Sequence, residues 1–263
     1  MIVYYAIGGG LGHVTRARRV LAALGIEARI VGSSDIPPHL EQSLAAHRAW
    51  IEDLGAERII ADTFPLGIRG ELAEIAVPLD YVGRLLRWEE YRRVVPGPLP
   101  RFGTSYFAEE LTPEHEAAIR AASDFVWSAA AMPPLLLNDE IESGGHGAAL
   151  QKYWIVVHSG PESEVRELLA YATAQREIRN ETARIVVATR CEMEGIERID
   201  VDPPSALFAG ASRIISAAGF NVMLETERWR DKHDVVPFAR RFDDQFTRAA
   251  RRRRAQRQST GLP

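Results

Sequence analysis

Short apolar runs alternate with helical patterns along this chain, and the alternation runs through twice. That order constrains the fold more than any other feature. A strand followed by a helix cannot close a tight hairpin onto the next strand, so the strands run parallel and helices cover the sheet. In the first half, residues Ile2–Ile7, Ala28–Val31, Arg58–Ala61, Leu79–Val82 and Asp124–Ser128 read as strands. Between them, His13–Leu24, Pro38–His47, Gly67–Ile75 and Pro113–Ala122 carry helix-like spacing of apolar residues. Thr112 before Pro113 marks a helix start, with a hydroxyl cap and proline in the first turn. The second half restarts the pattern. Its strands are Tyr153–His158, Ala183–Thr189, Glu197–Val201, Ser212–Ser216 and His233–Phe238, and its helices Glu162–Arg176, Pro204–Ala209, Phe220–Arg230 and Asp243–Arg254.

The proline- and glycine-rich stretch Met132–Leu150 separates the halves and reads as a linker. The expected organisation is an N-terminal domain over residues 1–150 and a C-terminal domain over 151–263, ending in a helix. A length of 263 residues suits two such domains. Two α/β domains would leave a cleft, and ligands of parallel sheets bind beyond the carboxyl ends of the strands. The loops to watch are therefore residues 8–13, 62–67, 158–162 and 216–221.

Net charge is −4 with a sequence pI of about 6.0, which argues against a nucleic-acid binder. The single cysteine, Cys191, excludes a disulfide framework and a cysteine-built metal site, and fits a reducing compartment. The first residues lack a signal-peptide pattern, and no apolar run is long enough to span a membrane, so a cytoplasmic location is expected. The arginines at 248, 251–254 and 257 read as a solvated helix end, with contact to an anionic lipid or acceptor as the alternative. Membrane contact would be peripheral at most.

Gly8-Gly9-Gly10-Leu11-Gly12-His13 follows the first strand and opens the first helix. Gly9, Gly10 and Gly12 let the backbone approach a ligand closely, and a helix N-terminus favours a negative or polar group. His13 in the first turn is suited to accept a proton from a hydroxyl near neutral pH; a capping or packing histidine is the alternative. Asp62 ends the third strand. It reads either as the partner that orients His13 or as a cap or turn carboxylate before a helix near Gly67. In the second half, Ser216-Ala217-Ala218-Gly219-Phe220-Asn221-Val222-Met223-Leu224-Glu225 is a strand, a small-residue turn and a helix start. Its first amides suit a diphosphate, and Glu225, one turn beyond Asn221, suits ribose hydroxyls. Ser159 and Gly160 offer a hydroxyl and an amide to phosphate, or form an ordinary capped turn. Asp244 and Gln245 stand at a helix start, where they could hold sugar hydroxyls; Asp243 or Asp244 could equally be a plain helix cap.

Together these residues resemble the GT-B glycosyltransferase superfamily. The first loop is similar to the glycine-rich loop ending in Gly-His that opens many members, including the enzyme adding N-acetylglucosamine to the peptidoglycan lipid intermediate. Gly219-Phe220-Asn221 with Glu225 resembles the Gly-Trp-Asn-Ser-x-x-Glu donor signature of UDP-glycosyltransferases, and is closer to the Gly-Tyr-Asn-Thr of a bacterial group of predicted glycosyltransferases. Val236-Pro237 with Asp244-Gln245 resembles the later Pro…Asp-Gln element, and Asp62-Thr63-Phe64-Pro65 an Asp-x-Phe-Pro loop of that group.

The resemblance implies a GT-B fold: an acceptor domain and a donor domain, both Rossmann-like, with parallel sheets facing a central cleft. It implies transfer of a sugar from a nucleotide-diphosphate sugar, UDP foremost, to the hydroxyl of a small-molecule or lipid-linked acceptor. By the same resemblance Gly219, Phe220 and Asn221 contact the diphosphate, Glu225 the ribose, and Asp244 and Gln245 the sugar. His13 is the base, inversion follows, and neither a metal nor a separate cofactor is expected. Arg84–Tyr91 and Val94–Phe102 would shape the acceptor side. Leu85, Leu86, Trp88, Val94 and Val95 read either as packing or as an apolar patch for a lipid-linked acceptor. The chain departs from the pattern at Ala217, at Val222 and over Thr226–Asp231, and it is short. Gly12-His13-Val14-Thr15-Arg16 also resembles the opening of the UDP-sugar hydrolases of pseudaminic acid synthesis. Hydrolysis is thus the enzymatic alternative, and a nucleotide-sugar-binding protein without activity the other.

Overall fold

A computed structural model describes residues 1–8, 12–135, 153–199 and 203–260. Its contacts gather into two units, Met1–Leu135 with Arg241–Asp244 (unit 1) and Leu136–Arg240 with Gln245–Pro263 (unit 2). Most of the expected linker Met132–Leu150, and the expected boundary at 150, lie outside the described residues.

Unit 1 is built on a parallel sheet of β1 (Ile2–Ala6), β2 (Arg29–Gly32), β3 (Arg58–Asp62), β4 (Leu79–Gly83), β5 (Phe102–Phe107) and β6 (Ser123–Trp127), in the order β2-β1-β3-β4-β5-β6. Its helices are α1 (Gly12–Leu24), α2 (Leu44–Glu52), α3 (Trp88–Val94) and α4 (Pro113–Ala122). Alternate residues of the central strands enter one core: Val3, Tyr5, Ile59, Ala61, Leu79 and Tyr81 pack with Ile51 of α2 and Ile119 of α4. On β1 the intervening Tyr4 and Ala6 are buried as well. A strand covered on both faces is apolar at nearly every position, which is why these runs stand out in the sequence.

Unit 2 repeats the plan with β7 (Tyr153–Val157), β8 (Arg184–Ala188), β9 (Arg198–Ile199), β10 (Ala211–Ala217) and β11 (His233–Val236), parallel in the order β11-β10-β7-β8-β9. Helix α5 (Glu162–Ile178) covers one face through Val165, Leu168 and Ala172 against Trp154 and Val156. Helices α6 (Phe220–Glu225) and α7 (Gln245–Thr260) follow β10 and β11. The expectation of two α/β units with parallel sheets thus holds.

Several segments differ from expectation: the helix expected over Phe220–Arg230 stops at Glu225 and gives way to 3-10 turns over Glu227–Lys232, and that over Pro204–Ala209 is a 3-10 turn, Pro204–Leu207. The helix expected over Gly67–Ile75 is a run of turns. Gly67 and Gly70 take positive φ, and the buried Glu71 carboxylate accepts from the backbone N–H groups of Ile68 (3.0 Å) and Arg69 (2.8 Å), a local alternative to helical bonding. Pro38–His47 splits into a 3-10 turn, Pro38–Gln42, and α2, because the Ser43 hydroxyl accepts from Ala46 N and starts a new helix. Strand β5 and helix α3 arise where loops were expected. The Gly103-Thr104-Ser105 stretch of β5 looks like a turn, yet Ser105 is buried and its hydroxyl is satisfied by Ser123 at 2.7 Å on β6.

Both sheets have a topological switch point, where connections from one strand leave in opposite directions. In unit 1 it falls between β1 and β3, and in unit 2 between β7 and β10. Ligands of open α/β sheets bind at the carboxyl ends of the strands flanking such points. The residues that follow these four strands are the glycine-rich loop with His13, Asp62-Thr63, His158-Ser159-Gly160, and Ala218-Gly219-Phe220.

Candidate active site

At the unit 1 switch point, His13 in the first turn of α1 meets Asp62 at the end of β3. The imidazole Nδ1 lies 2.8 Å from Asp62 Oδ2, 49 residues away in sequence. No helix follows near Gly67, so Asp62 has none to cap there. Its carboxylate is fully used instead. Tyr4 donates its hydroxyl to Oδ1 at 3.1 Å, Arg16 Nε donates to the same oxygen at 2.9 Å, and Arg16 Nη2 donates to Oδ2. Burial alone would raise the Asp62 pKa, but the Arg16 charge and the hydrogen bonds from His13 and Arg16 hold it well below the usual carboxylate range.

An ionised carboxylate only accepts, so the hydrogen bond assigns the ring proton to Nδ1 and leaves the lone pair on Nε2. Arg16 Nη2 also lies 2.8 Å from Nδ1, as a neighbour sharing the carboxylate rather than a donor to the ring. Burial lowers the His13 pKa; the bond to Asp62 opposes this, and the Arg16 and Arg84 charges add to it. The imidazole is therefore neutral at pH 7, as a base must be. Phe64 stacks on it with ring centroids 6.1 Å apart. Nε2 lies over Gly8, where an ideal Cβ would stand 1.9 Å from that nitrogen. Gly8 is thus required by the histidine itself.

Thr63 ties the group together. Its hydroxyl accepts from Arg16 Nη2 and Arg84 Nε, each at 2.9 Å, and its carbonyl accepts from Tyr81 Oη at 2.7 Å. Its φ is 70°, a left-handed conformation that costs a β-branched residue about 1–3 kcal/mol. Such strain persists only where surrounding bonds over-determine the backbone, and here they do.

Sequence reasoning singled out His13 and Asp62, placed Arg84 only in an acceptor-side stretch and Asp243 only as a possible helix cap, and gave Arg16 and Thr63 no role of their own. Arg16 had a legible signal, since it sits three residues after His13 on the same helix face. Gly12 is the first residue of α1; Gly9 and Gly10 lie outside the described residues. The expected acceptor patch is core: Leu85, Leu86 and Val95 are buried, and Trp88 packs against the same cluster. The packing reading of those residues is the right one.

In unit 2 the predicted residues also flank the switch point. Ser159 is exposed after β7, and next to it His158 Nε2 bonds Glu164 Oε2 at 2.7 Å, a contact the sequence did not suggest. Arg240 donates to both Glu164 oxygens, at 2.6 and 2.5 Å. A Cβ on Gly160 would stand 2.4 Å from His158 Nε2. Beyond β10, Gly219 is the extended N-cap of α6, where a Cβ would meet nothing closer than Val222 at 3.9 Å. Packing within the protein does not require glycine at 219, unlike at Gly8. The Phe220 side chain is buried, whereas Asn221 and Glu225, one turn apart, are partly exposed. Gln245 is the first residue of α7 and accepts from Phe238 N through Oε1 at 3.1 Å; Asp244, its neighbour in sequence, falls in unit 1.

The arginines of α7 are not a uniformly solvated face. Arg248 and Arg252 are buried and donate to the carbonyls of Ala218 (2.7 Å) and Met223 (2.6 Å), bracing the α6 turn from behind. The Met223 carbonyl lies in the last turn of α6, where a cation is favourable, and long arginine stems can bury apolar surface. Among the described residues no three His, Cys, Asp or Glu side chains form a metal-binding group, and no helix is long and apolar enough to cross a membrane.

No protein-family model matches the chain, and no curated protein matches its sequence. Solved structures do match its fold. The glycosyltransferase SsfS6 of Streptomyces sp. SF2575, complexed with thymidine diphosphate, aligns with a TM-score of 0.54 over 97% of this chain and 85% of its own, at 15% identity. MurG of Acinetobacter baumannii aligns at 0.51 over 95% and 82%, with 14% identity. A UDP co-structure of S. aureus MnaA aligns at 0.53 over 89% and 78%, with 10% identity. The chain has the GT-B fold. Its two Rossmann-like units are the six-stranded and five-stranded sheets described above. As a GT-B protein it carries its buried His–Asp pair in the N-terminal unit, and the Gly219-Phe220-Asn221 turn in the C-terminal one.

Proposed function

We propose that this GT-B protein is a glycosyltransferase that moves a sugar from a nucleotide-diphosphate sugar, UDP foremost, to an acceptor hydroxyl. The observation that carries this reading is the buried His13–Asp62 pair at the unit 1 switch point, with the Nδ1 proton committed to the carboxylate. His13 Nε2 takes the proton of the acceptor hydroxyl as its oxygen attacks the anomeric carbon. The bond from that carbon to the diphosphate breaks, and the single displacement inverts the centre. Asp62 holds the imidazole in one tautomer and stabilises the imidazolium that forms.

The donor is assigned to unit 2. Gly219, Phe220 and Asn221 meet the diphosphate through the α6 turn, Glu225 the ribose, and Ser159 and Gly160 assist from the neighbouring strand end. Asp244 and Gln245 are assigned to the sugar. No metal is required in this scheme, because amide donors and their dipoles take up the charge of the leaving diphosphate. The acceptor is a hydroxyl-bearing small molecule or lipid-linked glycan, and the location is cytoplasmic.

Two measurements test the reading. Binding of UDP or TDP raises the unfolding temperature by mass action, in the wild type and in His13→Ala alike. Turnover of a UDP- or TDP-sugar with an acceptor mixture is lost in His13→Ala. If no nucleoside diphosphate changes the melting temperature, or if His13→Ala turns over at the wild-type rate, the reading is wrong. Free sugar released as fast without an acceptor would make water the nucleophile and the protein a hydrolase.

A further inference from the structure

Two oppositely charged side chains, the buried Arg84 and the partly exposed Asp243, have no part in the chemistry just described. Arg84, at the end of β4, is buried and donates through Nη1 to Asp243 Oδ1 at 2.5 Å. Asp243 is 159 residues further along, in the Arg241–Asp244 segment of unit 1. That segment is fastened to the unit independently of the ion pair. Asp243 forms an antiparallel bridge with Leu86, Arg87 N donates to Phe242 O at 2.8 Å, and the Phe242 ring packs on Phe64 and Tyr91. Phe64 is the ring stacked on the His13 imidazole.

The charges around the imidazole can be counted element by element. Helix α1 supplies Arg16, the end of β3 supplies Asp62, and the end of β4 supplies Arg84. Tyr4 of β1 bonds Asp62 and stays a neutral phenol. Gly9, Gly10 and Leu11 bring no titratable side chain. Of these charges, Arg84 is the cation that Asp243 pairs, so Asp243 acts on the ring by countering the Arg84 charge. A net cation beside an imidazole resists formation of the imidazolium that proton transfer creates.

We propose that Arg84 and Asp243 are positioning residues for His13: closed on each other and on Thr63, they balance the charge at the base so that it can take up a proton. The inference rests on the reading of His13 as the general base, and adds the C-terminal Arg241–Asp244 segment to the machinery of the N-terminal unit. Thr63 is the mechanical link, because its one hydroxyl receives both the guanidinium that holds Asp62 and the one that holds Asp243. The device predicts effects of opposite sign from the two partners. Asp243→Asn removes a counter-charge from Arg84 and lowers the His13 pKa. Arg84→Met leaves an excess anion and raises it.

The test is an NMR titration of the histidine ring signals in the full chain, with His13→Ala identifying the His13 resonance among the seven. Expected shifts are about one pH unit down for Asp243→Asn and about one unit up for Arg84→Met. The double variant returns to within a few tenths of wild type. Should Arg84→Met fail to fold, Arg84→Lys, which keeps the charge, must hold the wild-type value while Asp243→Asn still lowers it. Shifts of the same sign, or no shift in Asp243→Asn, overturn the proposal and make the pair merely structural. The pH profile of kcat/KM is the second readout. If the NMR shifts appear and the rate profile does not follow them, the charge balance stands and His13 is not the base.

Discussion

The two units of this GT-B protein solve the same local problem with different stakes. Each begins with a parallel strand that runs into a small-residue turn and a helix. At each turn a histidine ring lies where a glycine leaves room for it, a carboxylate bonds the ring, and an arginine bonds the carboxylate. In unit 2 the histidine and its carboxylate are near neighbours in sequence, and only the arginine comes from 76 residues away. Glu164 is six residues from His158, in the first turn of α5, and is bonded through Nε2; the Arg240 side chain is 31% exposed. In unit 1 Asp62 comes from another strand, the Arg16 side chain is only 3% exposed, and the ring is bonded through Nδ1. The local His158–Glu164 pair does what an acidic residue at a helix N-terminus ordinarily does. The long-range one puts ionised groups in a buried place, which is stable only when every charge has its partner. The contrast is the reason the proposed chemistry is assigned to unit 1.

The largest expected difference is kinetic. His13→Ala should lower kcat by about 100- to 10,000-fold, while His158→Ala should leave it within about tenfold; comparable losses from both would erase the distinction. Stability should separate the carboxylates next. Asp62→Asn strands the buried Arg16 charge and should cost about 3–5 kcal/mol in urea unfolding, against about 1 kcal/mol or less for Glu164→Gln. A smaller contrast concerns the glycines. Gly8→Ala should cost about 1–3 kcal/mol, because its methyl group meets a ring locked by Asp62; Gly160→Ala should cost less, because the overlap with the ring there is smaller, 2.4 Å to Nε2 against 1.9 Å.

The smallest effect, per pH unit, is one the two units share. Burial pushes His115 in unit 1 and His233 in unit 2 down to about 3. Both fold as neutral rings, so the unfolded chain binds their protons first as pH falls. Their stabilising contribution is complete above about pH 6.5 and declines toward pH 3, by about 1.4 kcal/mol per unit for each histidine. His115→Phe and His233→Phe should each flatten the acid limb of stability against pH by roughly one proton. An unchanged slope would mean that these rings titrate normally.

Much of this was legible beforehand. Apolar runs of five residues, proline after a threonine cap, and glycines beyond strand ends are local signals, and they located most of the strands and the four loops at the switch points. His13 and Asp62 were found because each stands at a strand or helix end where its type is informative. The turns of Gly67–Ile75 escaped because Glu71 looks like any helical glutamate until its carboxylate is seen on the backbone. The α7 arginines looked like a solvated run, and only packing shows that Arg248 and Arg252 point inward.

The amino-acid order by itself determined two parallel α/β units and the loops at their strand ends, since both follow from periodicities and end signals a few residues long. Only the tertiary structure decided that Thr63 is left-handed, that Arg84 pairs with Asp243, and that a segment near the chain's end joins the N-terminal unit. Those choices are made by partners far apart in the chain. Their attraction depends on burial and distance, and no repeat or spacing along the chain records either.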